Sequence, residues 1–139
     1  DALPETDEEK AALEKKAEES RPVLDFLKET LGDAIKEARV SRLLKSGAVC
    51  LTADGPVSLE MEKYFQRADP DNAGFMKAQR VLELNPDSPV FAALRDAVEH
   101  DREKAAKYAR LLYAQAELIA GMPLEDPAGY TELVCSLMV

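Results

Sequence analysis

Helix boundaries constrain the fold of this chain most strongly, because prolines and glycines mark them along much of the sequence. Pro22, Pro89 and Pro127 each suit the first turn of a helix, where a backbone N–H has no helical partner to lose. Ser88 and Asp126 directly precede two of these prolines, and their side-chain oxygens can cap the helices. The sequence therefore predicts helices that begin near residues 22, 89 and 127.

Two further helices follow from the spacing of apolar residues and from their flanking signals. One is predicted from Arg102 to about Ala120, because Asp101 can cap its start and Gly121 can end it. The other is predicted over residues 57–67, where apolar side chains stand at positions i, i+4, i+7 and i+8.

Three short apolar runs lie between the predicted helices and favour strands. They cover residues 35–43, 48–52 and 79–84. Ser46 and Gly47 predict a turn between the first two runs, so we expect these two strands to pair antiparallel as a hairpin. The predicted fold class is α+β, with a small three-stranded sheet packed with helices.

One domain is expected from the length of 139 residues. Residues 1–20, rich in Glu, Lys and Ala, predict a charged helical linker or frayed tail from an upstream domain, and residues 21–139 form the domain itself. The net charge of −9, from 18 basic and 27 acidic residues, disfavours binding to nucleic acid or to an anionic membrane surface. The sequence has no run of about 18 apolar residues that would predict a membrane span.

Motifs for catalytic and cofactor sites are missing from the sequence. The glycines form neither a phosphate-binding loop nor a dinucleotide fingerprint. Asp69, Asp71 and Gly74 match three places of a calcium-binding loop, but the twelfth place is Arg80, so we interpret the segment as a solvated turn. His100, the only imidazole, is expected to satisfy the last carbonyls of a helix, and the acidic residues are expected on solvated helix faces. We therefore predict no catalytic site, cofactor or metal in this segment.

The two cysteines bear on the cellular compartment. Cys50 and Cys135 are far apart in sequence, and each lies in an apolar run. Buried free thiols in a reducing cytosol are the favoured interpretation, which predicts a cytoplasmic protein. A disulfide between them is the alternative.

Apolar stripes on two segments need a partner. The apolar stripes of the two C-terminal helices either cover the sheet or form an association surface. Dimerisation is favoured, because the helices predicted to begin near Pro22 and Pro89 already cover the sheet. The stripe of Val57, Met61, Tyr64 and Phe65 either packs on the sheet, as its periodicity favours, or forms an adaptable binding face. A monomeric peptide-binding adaptor that uses the same helices internally is the alternative function.

Three separated motifs resemble the C-terminal domain of heat-shock protein 90 chaperones, most closely the bacterial HtpG branch. The sequence LELNPDSP at 82–89 resembles the strand-to-helix junction of that domain. The sequence ARVSRL at 38–43 resembles its first hairpin. The sequences LLY at 111–113 and LEDP at 124–127 resemble the penultimate helix and the cap of the last one. The resemblance covers about residues 17–139.

The resemblance implies the homodimerisation domain of an ATP-dependent chaperone, in which two C-terminal helices of each protomer form an intermolecular four-helix bundle. It implies that ATP and Mg²⁺ bind in upstream domains, and that the partners are a second copy and unfolded or partly folded client proteins. It also implies that Val57, Met61, Tyr64 and Phe65 contact clients. The dimer interface that it implies comprises Tyr108, Leu111, Leu112, Gln115, Ile119, Tyr130, Leu133, Val134, Leu137 and Met138.

Overall fold

A three-stranded sheet packed with helices forms the structure, so the predicted α+β class is confirmed. This computed structural model describes residues 7–41 and 47–139 of the chain. Two short 3-10 helices cover Gly32–Ala34 and Pro70–Phe75. The strands are β1 (Glu37–Val40), β2 (Val49–Asp54) and β3 (Gln79–Leu84), and the α-helices are α1 (Asp7–Glu19), α2 (Arg21–Leu31), α3 (Leu59–Ala68), α4 (Pro89–His100), α5 (Arg102–Ile119) and α6 (Pro127–Ser136).

The sheet places β3 between the other two strands, in the order β1-β3-β2. β1 runs parallel to β3 and β2 runs antiparallel to it, so that Leu84 is paired on both sides. The predicted hairpin between the first two strands is therefore wrong, and its turn residue Ser46 lies outside the described ranges. The successive residues Val81 and Leu82 point to opposite faces of the sheet and both are fully buried, which suits a central strand that is covered on both faces.

Local capping fixes the helix starts as the sequence predicts. Ser88 Oγ accepts a hydrogen bond from the backbone N–H of Val90 at 3.1 Å, and Asp126 Oδ1 accepts one from Gly129 at 2.9 Å. Asp101 caps α5 in the same way, with an oxygen-to-nitrogen distance of 3.2 Å. Each cap satisfies a first-turn N–H that has no partner within its helix, so α4, α5 and α6 begin where expected.

The ends of the two C-terminal helices lie close to the predicted ones. α5 ends at Ile119, and Gly121 follows it with a φ of +75°, the left-handed conformation that glycine adopts without strain. α6 ends at Ser136, so Leu137 and Met138 of the predicted stripe lie just beyond the helix.

α5 belongs to the hydrophobic core of the protomer, which it forms with α2, α4 and the sheet. Ala105, Ala109 and Ala116 are fully buried, and their small side chains let the helix lie close to β2. Leu112 lies on the same face and is only 4% exposed. The prediction that the first two proline-started helices suffice to cover the sheet is therefore wrong, and Leu112 packs inside the protomer rather than on a free surface.

α1 carries the charged N-terminal stretch. It buries none of its residues, although Leu13 and Ala17 pack against the edge of the core. Residues 1–6 of the predicted tail lie outside the described ranges. The division of the chain at residue 20 stays a prediction.

Candidate functional site

The outward face of α3 is the first candidate surface. Ser58 Oγ accepts a hydrogen bond from the Met61 N–H at 3.0 Å, so that α3 begins at Leu59 and Val57 lies before the helix. Met61 is 39% exposed and Tyr64 is 64% exposed. The interpretation that this stripe packs on the sheet is therefore wrong for these two side chains.

An aromatic pair extends this face. The ring centroids of Tyr64 and Phe65 are 5.4 Å apart, and the rings meet edge to face. Phe65 is half-buried, as is Val57. Of the four residues expected to contact clients, two are thus open to solvent and two are partly covered.

The inward side of α3 is polar. Glu62 is the one buried residue of the helix, with only 1% of it exposed. Its Oε1 accepts a hydrogen bond from the Ala78 N–H at 2.9 Å, and its Oε2 accepts bonds from Arg80 at 2.6 Å and from Gln66 at 3.3 Å. The helix therefore turns a carboxylate towards the protein and apolar groups towards solvent.

Arg80 joins α3, β3 and α5. Its Nη2 donates to Glu62, while its Nη1 donates to Glu117 Oε2 at 2.9 Å and to the Tyr113 hydroxyl at 2.8 Å. The Arg80 side chain is 15% exposed and Glu117 is buried as well. One guanidinium thus serves two buried carboxylates, an arrangement that suits its planar fork of donors.

Sequence reasoning missed this charged cluster, which we define as Glu62, Arg80, Tyr113 and Glu117. Acidic residues were expected on solvated faces, which is wrong for Glu62 and Glu117. A signal does exist in β3, because Arg80 alternates with Leu82 and so shares its buried face of the strand. A cation in that position requires a carboxylate partner.

Burial raises the pKa of Glu117 above its ordinary value. The hydrogen bond and the charge of Arg80 oppose this change, and the negative charges of Glu125 and Glu62 add to it. Burial likewise raises the pKa of Tyr113, against the influence of Arg80. Glu117 therefore binds a proton more readily in the folded protein than in the unfolded chain.

Acidification is expected to stabilise the wild-type protein relative to the Glu117→Gln variant. As pH falls from about 7 towards the ordinary glutamate pKa of about 4.3, the folded state takes up a proton on Glu117 before the unfolded state does. Urea unfolding of both proteins at pH 7 and pH 5, at equal protomer concentration, measures the difference. A difference in unfolding free energy that is equal at both pH values contradicts the raised pKa.

The outer surface of α5 and α6 is the second candidate. None of the ten residues of α6 is buried, although several are large and apolar. Ile119 is 67% exposed and Met138 is 71% exposed. The half-buried members of the predicted interface are Tyr108, Leu111, Gln115, Tyr130, Leu133, Val134 and Leu137.

A cleft of about 800 Å³ lies between the inward side of α3 and α6. Arg80 and Glu117 of the charged cluster line it, together with Tyr130 and Leu133 of α6. The structure thus brings two predicted interface residues into one cavity with two members of the charged cluster.

The remaining candidate residues have local roles. His100 Nδ1 lies 3.1 Å from both the backbone oxygen and a carboxylate oxygen of Asp96, which confirms its expected place at the end of α4. Both cysteines are free thiols, but Cys135 is exposed and Cys50 half-buried, so the expectation of two buried thiols is wrong. Over residues 7–41 and 47–139, no helix is long and apolar enough to cross a membrane, and no three acidic, Cys or His side chains are grouped to hold a metal.

Comparison with known protein families gives the class of this protein. The Hsp90 protein family matches residues 1–139. The chain therefore belongs to the Hsp90 family, and the family resemblance that the three motifs carry is confirmed.

Individual relatives narrow the comparison to bacterial chaperones named HtpG. The chaperone protein HtpG of Bacillus subtilis is 44% identical over 134 residues, which cover 96% of this chain and 21% of the relative. That of Shouchella clausii is 46% identical over 135 residues, 97% of this chain and 21% of the relative. That of Clostridium perfringens is 44% identical over 124 residues, 89% of this chain and 20% of the relative. The chain thus spans about a fifth of the length of these relatives.

Proposed function

We propose that this chain is the C-terminal homodimerisation domain of a bacterial ATP-dependent chaperone of the Hsp90 family, acting in the cytoplasm in protein folding and the stress response. The observation that carries the proposal is α6, a ten-residue helix with apolar side chains and no buried residue. Helices shorter than about 12–15 residues are marginal in water without packing. A second protomer that packs its own α5 and α6 against these side chains completes an intermolecular four-helix bundle.

In this proposal the segment has no catalytic site and binds no cofactor. ATP and Mg²⁺ bind in another part of the longer chaperone, as the family resemblance implies. His100 has a local structural role in this proposal, since its Nδ1 contacts the backbone oxygen of Asp96 at the end of α4.

The second part of the proposal is that α3 contacts unfolded or partly folded client proteins. Met61 and Tyr64 support it, because they present a flexible thioether and an aromatic ring to solvent on one helix. Such side chains adapt to partners of varied shape, which suits weak and unselective binding. This function involves no binding to nucleic acid or to a membrane, which the acidic net charge of the chain disfavours.

Light scattering at micromolar concentration tests the dimer. We expect wild-type protein to have twice the chain mass of 15.3 kDa. Leu133→Glu is expected to give monomer, because a carboxylate buried in an interface without a partner opposes association by several kcal/mol. Ala128→Glu is the matched control, since Ala128 is exposed in the first turn of α6, where a negative charge is tolerated.

One outcome contradicts the dimer, and another contradicts the role of the α6 stripe in it. A wild-type mass that stays at 15.3 kDa up to high micromolar concentration would favour the monomeric peptide-binding adaptor. Equal dissociation by Leu133→Glu and Ala128→Glu would show that added charge, rather than the α6 stripe, controls association. Circular dichroism verifies that both variants are folded.

A further inference from the structure

The attachment of α3 to the protein differs from that of the core helices. α2, α4 and α5 each bury several side chains, whereas α3 buries Glu62 alone. Leu59, in its first turn, is the α3 side chain that packs against the hydrophobic core. Apolar packing therefore contributes little to the orientation of this helix, and directional polar contacts have to set it.

Arg80 supplies the first of these contacts. Its fork holds Glu62 of α3 on one nitrogen and Glu117 of α5 on the other, at 2.6 and 2.9 Å. Both carboxylates are buried, so the bonds are charge-assisted and little screened by water. A single side chain of β3 thus links α3 to α5.

Lys63 supplies a second contact with the end of α5. Its Nζ donates to the backbone oxygen of Ala120 at 2.9 Å and lies 2.7 Å from Glu60 Oε1. Gly121 gives it room, because a Cβ at that position would lie 3.3 Å from the Lys63 nitrogen. The left-handed glycine that ends α5 thus also admits the lysine of α3.

We propose that Arg80 and Lys63 are positioning residues, which hold the Met61–Tyr64 face of α3 in a fixed orientation relative to α5. This rests on the proposed client-binding function of that face. A face held in place binds more tightly than a mobile one, because less conformational freedom is lost on binding. Neither residue needs to touch the client.

Lys63→Met and Arg80→Lys in the full chain test the positioning. The first removes the bond to Ala120 without leaving a buried charge, and the second keeps a cation but cannot reproduce the fork. Arg67→Met is the matched control, an exposed cation on the same helix. The readouts are amide hydrogen exchange of α3 and of α5, mass by light scattering, and affinity for a fluorescein-labelled, net-neutral unfolded peptide rich in Leu and Phe.

We expect both positioning variants to accelerate exchange in α3 by about five-fold or more and to affect α5 less, because α5 keeps its core packing, while the mass stays at the wild-type value. Peptide affinity is expected to fall by a similar factor, and Arg67→Met is expected to change none of these quantities. Unchanged α3 exchange in both variants overturns the positioning role. Accelerated α3 exchange with unchanged peptide affinity overturns its link to binding. If the wild-type chain binds no peptide, the client-binding function fails, and the exchange rates still decide whether Arg80 and Lys63 hold α3.

Discussion

Replacement of Leu112 by alanine is expected to lower the free energy of unfolding by about 2–5 kcal/mol. Leu112 is 4% exposed and shares its face of α5 with Ala109 and Ala116, both fully buried. Loss of three side-chain carbons leaves a cavity that such closely packed neighbours cannot fill. Urea unfolding at fixed protomer concentration measures the change, because association also adds to apparent stability.

Leu111→Ala is the matched control, since Leu111 neighbours Leu112 on α5 but is only half-buried. It is expected to reduce stability less than Leu112→Ala and to weaken dimerisation more. An unchanged urea midpoint for Leu112→Ala, together with a shift to monomer, would show that Leu112 belongs to the dimer interface and not to the core. Comparison of the two variants therefore distinguishes the core-facing side of α5 from its half-buried side.

The helices could be predicted because their limits depend on neighbouring residues. Ser88 and Asp126 bond to N–H groups two or three residues away, so the sequence contains both partners of each cap. The order of the strands could not be predicted in this way. β3 pairs with both β1 and β2 across long connections, and proximity in the chain favoured a hairpin that does not form.

The candidate site was predictable only in part for a similar reason. Periodicity identifies an amphipathic α3 but not which face turns inward. That choice depends on Arg80, eighteen residues after Glu62, whose charge draws the carboxylate inward and leaves Tyr64 in solvent. Apolar side chains on two sides of α5 posed the same problem, since nothing local distinguishes Leu112 from Leu111.

The Met61→Ser and Tyr64→Ser double variant is expected to weaken binding of the net-neutral unfolded peptide at least ten-fold. Two exposed side chains of the kind that dominate protein interfaces are removed, and each can contribute more than about 1 kcal/mol to binding. Stability is expected to change by about 0.5 kcal/mol or less, because neither side chain is buried in the protomer. Fluorescence anisotropy measures the affinity, and urea unfolding measures the stability.

Val90→Ser is the control for this variant, because Val90 is an apolar residue that is 43% exposed and lies at the start of another helix, α4. An equal loss of affinity in Val90→Ser would mean that any exposed apolar group contributes to binding. Unfolding of the double variant would mean that Met61 and Tyr64 are core residues after all. Hydrogen exchange then distinguishes contact from positioning: the double variant should bind weakly with α3 exchange unchanged, whereas Lys63→Met should alter both. Hydrogen exchange of α3 is therefore the measurement that distinguishes a face that contacts the client from a lysine that only positions this face.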